Sequence, residues 1–204
     1  MNSSWDDSRR AFRDAAEWFV RTAAQVGDRW DAPGLGEWDV RALVGHTSRA
    51  LLTVETYLGH PAPDVAIPTA VAYYLATSAA AAGPGVAERG RAAGTALGAD
   101  PAAAVAEIAA RVLPLVGEQS GAELVTTIGG GMRLADYLPT RTFELAVHTT
   151  DLATALGMPA EVPRTAGTQV LHLLADLAVA HGLTGPLLLA GTGRTGLPPG
   201  FTVL

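Results

Sequence analysis

The sequence predicts an all-α protein: a four-helix bundle with extra short helices and a small C-terminal extension. Three observations carry this. Apolar residues recur every three or four positions through several long stretches. Strand character is confined to short pieces. The stretches are separated by Gly and Pro clusters and restarted by residues that cap helices. At 204 residues the chain suits one domain and can bury a large core.

Taken in order, Ser3 and Ser4 are followed three residues later by Asp6 and Asp7, a variant of the capping box. A helix follows, with Phe12, Ala16, Phe19, Ala23 and Val26 on one face, and stops near Gly27. Residues 31–36 read as a loop. Asp39 is the expected N-cap of a second helix, whose stripe is Val40, Leu43, Val44, Thr47, Leu51, Val54 and Leu58. Pro61 and Pro63 forbid its continuation. Two shorter helices are expected between residues 69 and 98, broken at Gly83-Pro84-Gly85. Asp100-Pro101 restarts the chain as N-cap and first helical residue, leading through Val105, Ile108 and Val112. Residues 124–128 have strand character, and Gly129-Gly130-Gly131 reads as a turn. The next helix begins between Leu134 and Pro139 and ends at Gly157. A last helix runs to His181 and is stopped by Gly182. This divides the chain into a bundle over residues 1–182 and a tail over 183–204. In the tail, residues 187–189 and 201–204 are two apolar pieces expected to form a short two-stranded flap.

Composition removes several function classes. The net charge is −6 and the basic residues are dispersed, which argues against nucleic acid or an anionic membrane as partner. Mean hydropathy is +0.23, yet no apolar run reaches the length of a membrane span. The acidic N-terminus lacks the layout of a signal peptide, so a cytoplasmic protein is expected. Cysteine is absent; any metal must be held by His, Asp or Glu. All 14 basic residues are Arg, a bias that fits a GC-rich genome.

The chemically suggestive stretch is residues 141–152. Glu144 and His148 stand four apart on one helix face, with Arg141 three before the first and Asp151 three after the second. A carboxylate and an imidazole so spaced can share a divalent ion if a third ligand arrives from elsewhere, and His46 is the candidate. The competing reading is an ordinary Glu–His surface pair worth roughly 0.2–0.5 kcal/mol. His46 lies on the flank of its helix, where periodicity alone favours a surface or boundary histidine. Spacing alone permits a metal site and does not favour it. His60, His172 and His181 read as solvated or helix-end residues.

Residues 38–46, WDVRALVGH, resemble the opening motif of the mycothiol-dependent maleylpyruvate isomerase family, and residues 138–157, LPTRTFELAVHTTDLATALG, resemble its later helix. The resemblance spans roughly residues 5–160. It implies a DinB-like four-helix bundle that binds a divalent metal, usually zinc, through His46, Glu144 and His148. Asp151 then orients a ligand from behind. The thiol cosubstrate implied is mycothiol. Position 42 is Ala where the family often has Asp, which loosens a contact behind the ligands. The isomerase also carries a second domain, of which residues 183–204 look like a remnant.

The leading expectation is therefore a metal- and mycothiol-dependent isomerase or S-transferase acting on a small electrophile. Arg141, Arg133 or Arg194 would hold an anionic substrate group. The same ligands would serve a hydrolase using an activated water, and two His with one carboxylate also describe non-haem iron sites. A non-catalytic, metal-stabilised binding module is the third expectation. A homodimer is a further one.

Overall fold

The computed structural model describes residues 4–81 and 85–204. It is built from helices, with two small antiparallel ribbons. Helix α1 (Trp5–Ala23) is capped by Ser4, whose Oγ accepts from the Asp7 N–H and donates to the Asp7 carboxylate. Ser3 and the Gly83-Pro84 part of the expected break lie outside the described residues. Helix α2 (Val40–Leu58) is capped by Asp39, which accepts from the Ala42 N–H. Helices α3 (Ala70–Ala81) and α4 (Val86–Ala96) are the two shorter ones. Helix α5 (Pro101–Gly117) begins on the Asp100 cap with Pro101 in its first turn, as its sequence requires. Helix α6 (Leu134–Ala155), α7 (Arg164–Ala180) and α8 (Thr184–Gly191) complete the chain.

The bundle is a square. Helices α1 and α2 each pack against both α5 and α6. Phe12, Phe19, Leu43, Leu51, Val105, Val112, Leu138 and Leu145 fill its centre. Helix α7 adds a fifth member against α1 and α6, over a second apolar cluster of Trp18, Phe143, Val170, Leu173 and Leu177. Helix α3 lies across α6 and α7, and α4 lies on α2.

Two local expectations are corrected. The tail forms no flap: residues 187–189 lie within α8, and 201–204 carry no strand, although Val203 is buried in the second cluster. Helix α8 lies against α7; Leu187 packs on the second cluster, while Leu188 and Leu189 are exposed. The ribbons lie elsewhere. Strand β1 (Pro33–Leu35) pairs with β2 (Trp38–Asp39), inside what the sequence suggested was loop. Strand β3 (Leu124–Thr127) pairs with β4 (Gly130–Arg133). Gly130 and Gly131 therefore belong to a strand, and the reversal is made at Ile128-Gly129. The Gly131 carbonyl accepts from the N–H groups of Ala66 and Ile67. A Cβ at Gly131 would sit 2.1 Å from the Asp64 carbonyl oxygen, so the crossing segment demands glycine there.

The α2–α4 crossing is the closest helix contact of this kind. A Cβ at Gly45 would lie 2.1 Å from the Gly94 backbone nitrogen. Gly45→Ala must push α4 away from α2, and the overpacking should cost about 1–3 kcal/mol or more. A drop in thermal midpoint of several degrees is the expected measurement; an unchanged midpoint would mean that α4 does not seat as described. The contact matters for function because Gly45 precedes His46.

Candidate metal centre

Helix α6 presents two faces. Leu138, Leu145 and Leu152 point into the bundle, and Phe143 and Ala146 into the second cluster. Arg141, Glu144, His148 and Asp151 remain at half-buried positions, facing α2 and α3.

His46 of α2 meets them there. One ligating atom from each of His46, Glu144 and His148 lies within 4.8 Å of the others. The His148 Nε2 atom is 3.3 Å from Glu144 Oε2. Ligands about 2.0–2.1 Å from a tetrahedral ion lie about 3.3 Å apart, so this pair already has the spacing of one coordination edge. On its other side His148 Nδ1 is 3.0 Å from Asp151 Oδ2, the arrangement that fixes an imidazole's orientation and leaves Nε2 for an ion. The His46 ring lies 4.5 Å from Trp38 and 4.8 Å, edge to face, from His148. Its Nδ1 is buried without a hydrogen-bond partner among the described residues. A buried orphan nitrogen is costly unless something binds it or the ring. The donor set and the orphan atom both fit a divalent ion.

Electrostatics point the same way. Burial, with the like charge of His148, pushes the His46 pKa down to about 4, so the ring is neutral at pH 7, the form that ligates. For His148, burial pulls downward, but hydrogen bonds to the Asp151 and Glu144 carboxylates overcome it and raise the pKa to about 9. Glu144 is pushed upward by burial; contacts from His148, the charge of Arg141 and the Tyr74 hydroxyl outweigh this and hold it at about 2. Without an ion, a proton on His148 supplies the positive charge between two carboxylates.

A model of the mycothiol maleylpyruvate isomerase N-terminal domain matches residues 6–153. The chain belongs to that family. No curated protein and no solved structure matches it at a significant level. The matched span runs from α1 to the end of α6 and contains all three clustered residues; α7, α8 and the tail lie beyond it. The family's frequent Asp at position 42 is replaced here by Ala42, which is 2% exposed and stands one helical turn before His46. No carboxylate is available at that position for the orphan Nδ1.

The three candidate arginines are placed differently. Arg141 is within the site. Its guanidinium lies over the rings of Tyr137 and Tyr73, 5.0 and 5.5 Å from their centroids. Its Nε donates to Thr140 Oγ1, and it has no ion pair with a described carboxylate. Arg133 is the N-cap residue of α6, exposed and 4.0 Å from Asp136. Arg194 is exposed beyond α8. Neither makes a hydrogen bond or ion pair with the cluster. Sequence reasoning missed the Tyr74 hydroxyl, which donates to Glu144 Oε1 at 2.8 Å. It sits on α3, an Ala-rich helix with no polar periodicity to single it out. The role of Trp38 against His46 was also missed, although the Trp38 indole N–H, bonded to the Ala87 carbonyl, lies in the recognised opening motif. The His60 ring bonds the Thr56 carbonyl of its own helix end, and His172 and His181 are exposed.

Proposed function

We propose that the protein is a divalent-metal enzyme, with zinc as the expected ion, that uses mycothiol in an isomerisation or S-transfer on a small electrophilic substrate. The observation that carries this reading is the cluster of His46, Glu144 and His148 on two helices of a chain from a mycothiol-linked family. In this reading three protein ligands leave a position open, as in catalytic rather than structural zinc sites. An ion there would lower the pKa of a coordinating thiol and make its sulfur nucleophilic at neutral pH.

The chain's own residues would do the rest. Asp151 would orient His148 through Nδ1. Trp38 would hold the plane of His46. Arg141, caged by Tyr73 and Tyr137, is the arginine we place against an anionic group of the substrate, because it alone of the three candidates adjoins Glu144. We infer that residues 1–182 form the metal-binding unit and that residues 183–204 are an extension packed against it through Phe201 and Val203. None of the helices among the described residues is long and apolar enough to cross a membrane, which suits small-molecule chemistry in solution.

The test is calorimetric. Protein reconstituted with zinc is titrated with mycothiol. Saturable binding that disappears when the zinc is stripped is the expected result. Stoichiometric zinc with no thiol binding would overturn the thiol reading and move weight to a hydrolase or a metal-stabilised module.

A further inference from the structure

Glu144 has two carboxylate oxygens, and they are not equivalent. Oε2 faces His148 Nε2 at 3.3 Å. Oε1 accepts a hydrogen bond from the Tyr74 hydroxyl at 2.8 Å. The hydroxyl also lies 3.3 Å from the Thr140 carbonyl, but it has one proton, and the shorter, charge-assisted contact to the carboxylate is the stronger. Tyr74 reaches this place from α3, and its ring is wedged edge to face against Phe143 at 5.6 Å and Tyr73 at 5.8 Å. Both are packed rings, so the hydroxyl is held where it is by the body of the protein and not by Glu144 itself.

A carboxylate can offer a metal one oxygen or two. Offering both would occupy a further coordination position of the ion. From these contacts we propose that Tyr74 is a positioning residue: it ties up Glu144 Oε1 so that the carboxylate offers the ion Oε2 alone and the remaining coordination position stays open for an external ligand. The inference rests on the metal reading above.

The variant is Tyr74→Phe, which keeps the packed ring and removes only the hydroxyl. Zinc affinity is measured by competition with a chromophoric chelator on wild type, Tyr74→Phe and Tyr73→Phe in parallel, and each protein is also loaded with cobalt(II) and its visible spectrum recorded. Loss of a partner behind a ligand typically lowers metal affinity about 10–100-fold, and that loss is expected for Tyr74→Phe alone. Its cobalt absorption should also weaken, as a four-coordinate ion gains a second carboxylate oxygen. The thermal midpoint of the metal-free protein reports whether the fold is intact; a fold-wide effect would move the midpoint and leave the cobalt band shape alone. Equal affinities and spectra in wild type and Tyr74→Phe, or the same loss in Tyr73→Phe, would overturn the positioning role while leaving the metal reading in place. Absence of zinc binding in wild type would overturn both, and the parallel titration separates the two failures.

Discussion

Replacing Glu144 and His148 together by Ala abolishes stoichiometric zinc binding. Only His46 remains of the three clustered donors, and one imidazole on a folded surface does not hold an ion against dialysis. The loss should far exceed the roughly 10–100-fold expected of an outer partner such as Tyr74 or Asp151. Elemental analysis of the reconstituted, dialysed variant is the measurement, and retained stoichiometric zinc would exclude this cluster as the site. The same substitutions affect the metal-free fold. They leave Asp151 without its His148 partner and the Tyr74 hydroxyl with only the longer contact to the Thr140 carbonyl, which should cost about 1–3 kcal/mol. A circular dichroism melt separates this stability loss from the loss of metal.

The second large effect is that of pH, and its sign follows from two opposed histidines. His148 is raised from 6.5 to about 9 in the folded protein. Its contribution to stability is fully present below pH 6.5 and is lost as pH rises through 9. At 1.36 kcal/mol per unit the loss is on the order of 3 kcal/mol. His46 is lowered from 6.5 to about 4. The unfolded chain then binds the extra proton between pH 4 and 6.5, so stability falls as pH is lowered through that window. The metal-free protein should therefore be most stable near pH 6.5, with the alkaline decline missing in His148→Ala. Glu144, held at about 2, reports the same ion pair as His148 and is not an independent gain. Zinc must displace the proton on His148, so its affinity should rise about tenfold per pH unit between roughly 6 and 9, with one proton released per ion. Isothermal titration in two buffers of different ionisation enthalpy counts that proton. A pH-independent zinc affinity would show that His148 is not the group displaced.

Much of this molecule was legible before folding. The caps at Ser4, Asp39 and Asp100 depend on one side chain and a backbone N–H three residues away, so their sequence signals hold locally. The starts of α1, α2 and α5 followed from them. The Glu144–His148–Asp151 line on α6 was readable for the same reason: a helix brings residues three and four apart together whatever surrounds it. The two motif segments identified the family.

Where the reading failed, the deciding contacts were long-range. Residues 187–189 are apolar enough for a strand or a helix, and in the structure they lie in α8, with Leu187 packed on the second cluster. Gly130 and Gly131 look like a turn in isolation; the segment 64–67 crossing over them makes them strand. The sequence by itself determined the helices up to α7, the caps at Ser4, Asp39 and Asp100, and the donors on α6. Only the tertiary structure decided that His46 stands beside Glu144 and His148, because that depends on α2 packing beside α6. It also decided that Tyr74, 70 positions away in sequence, holds Glu144. Side chains that meet across helices leave no periodic signal in either strand of sequence, and their juxtaposition exists only once the apolar core has set the helices against one another.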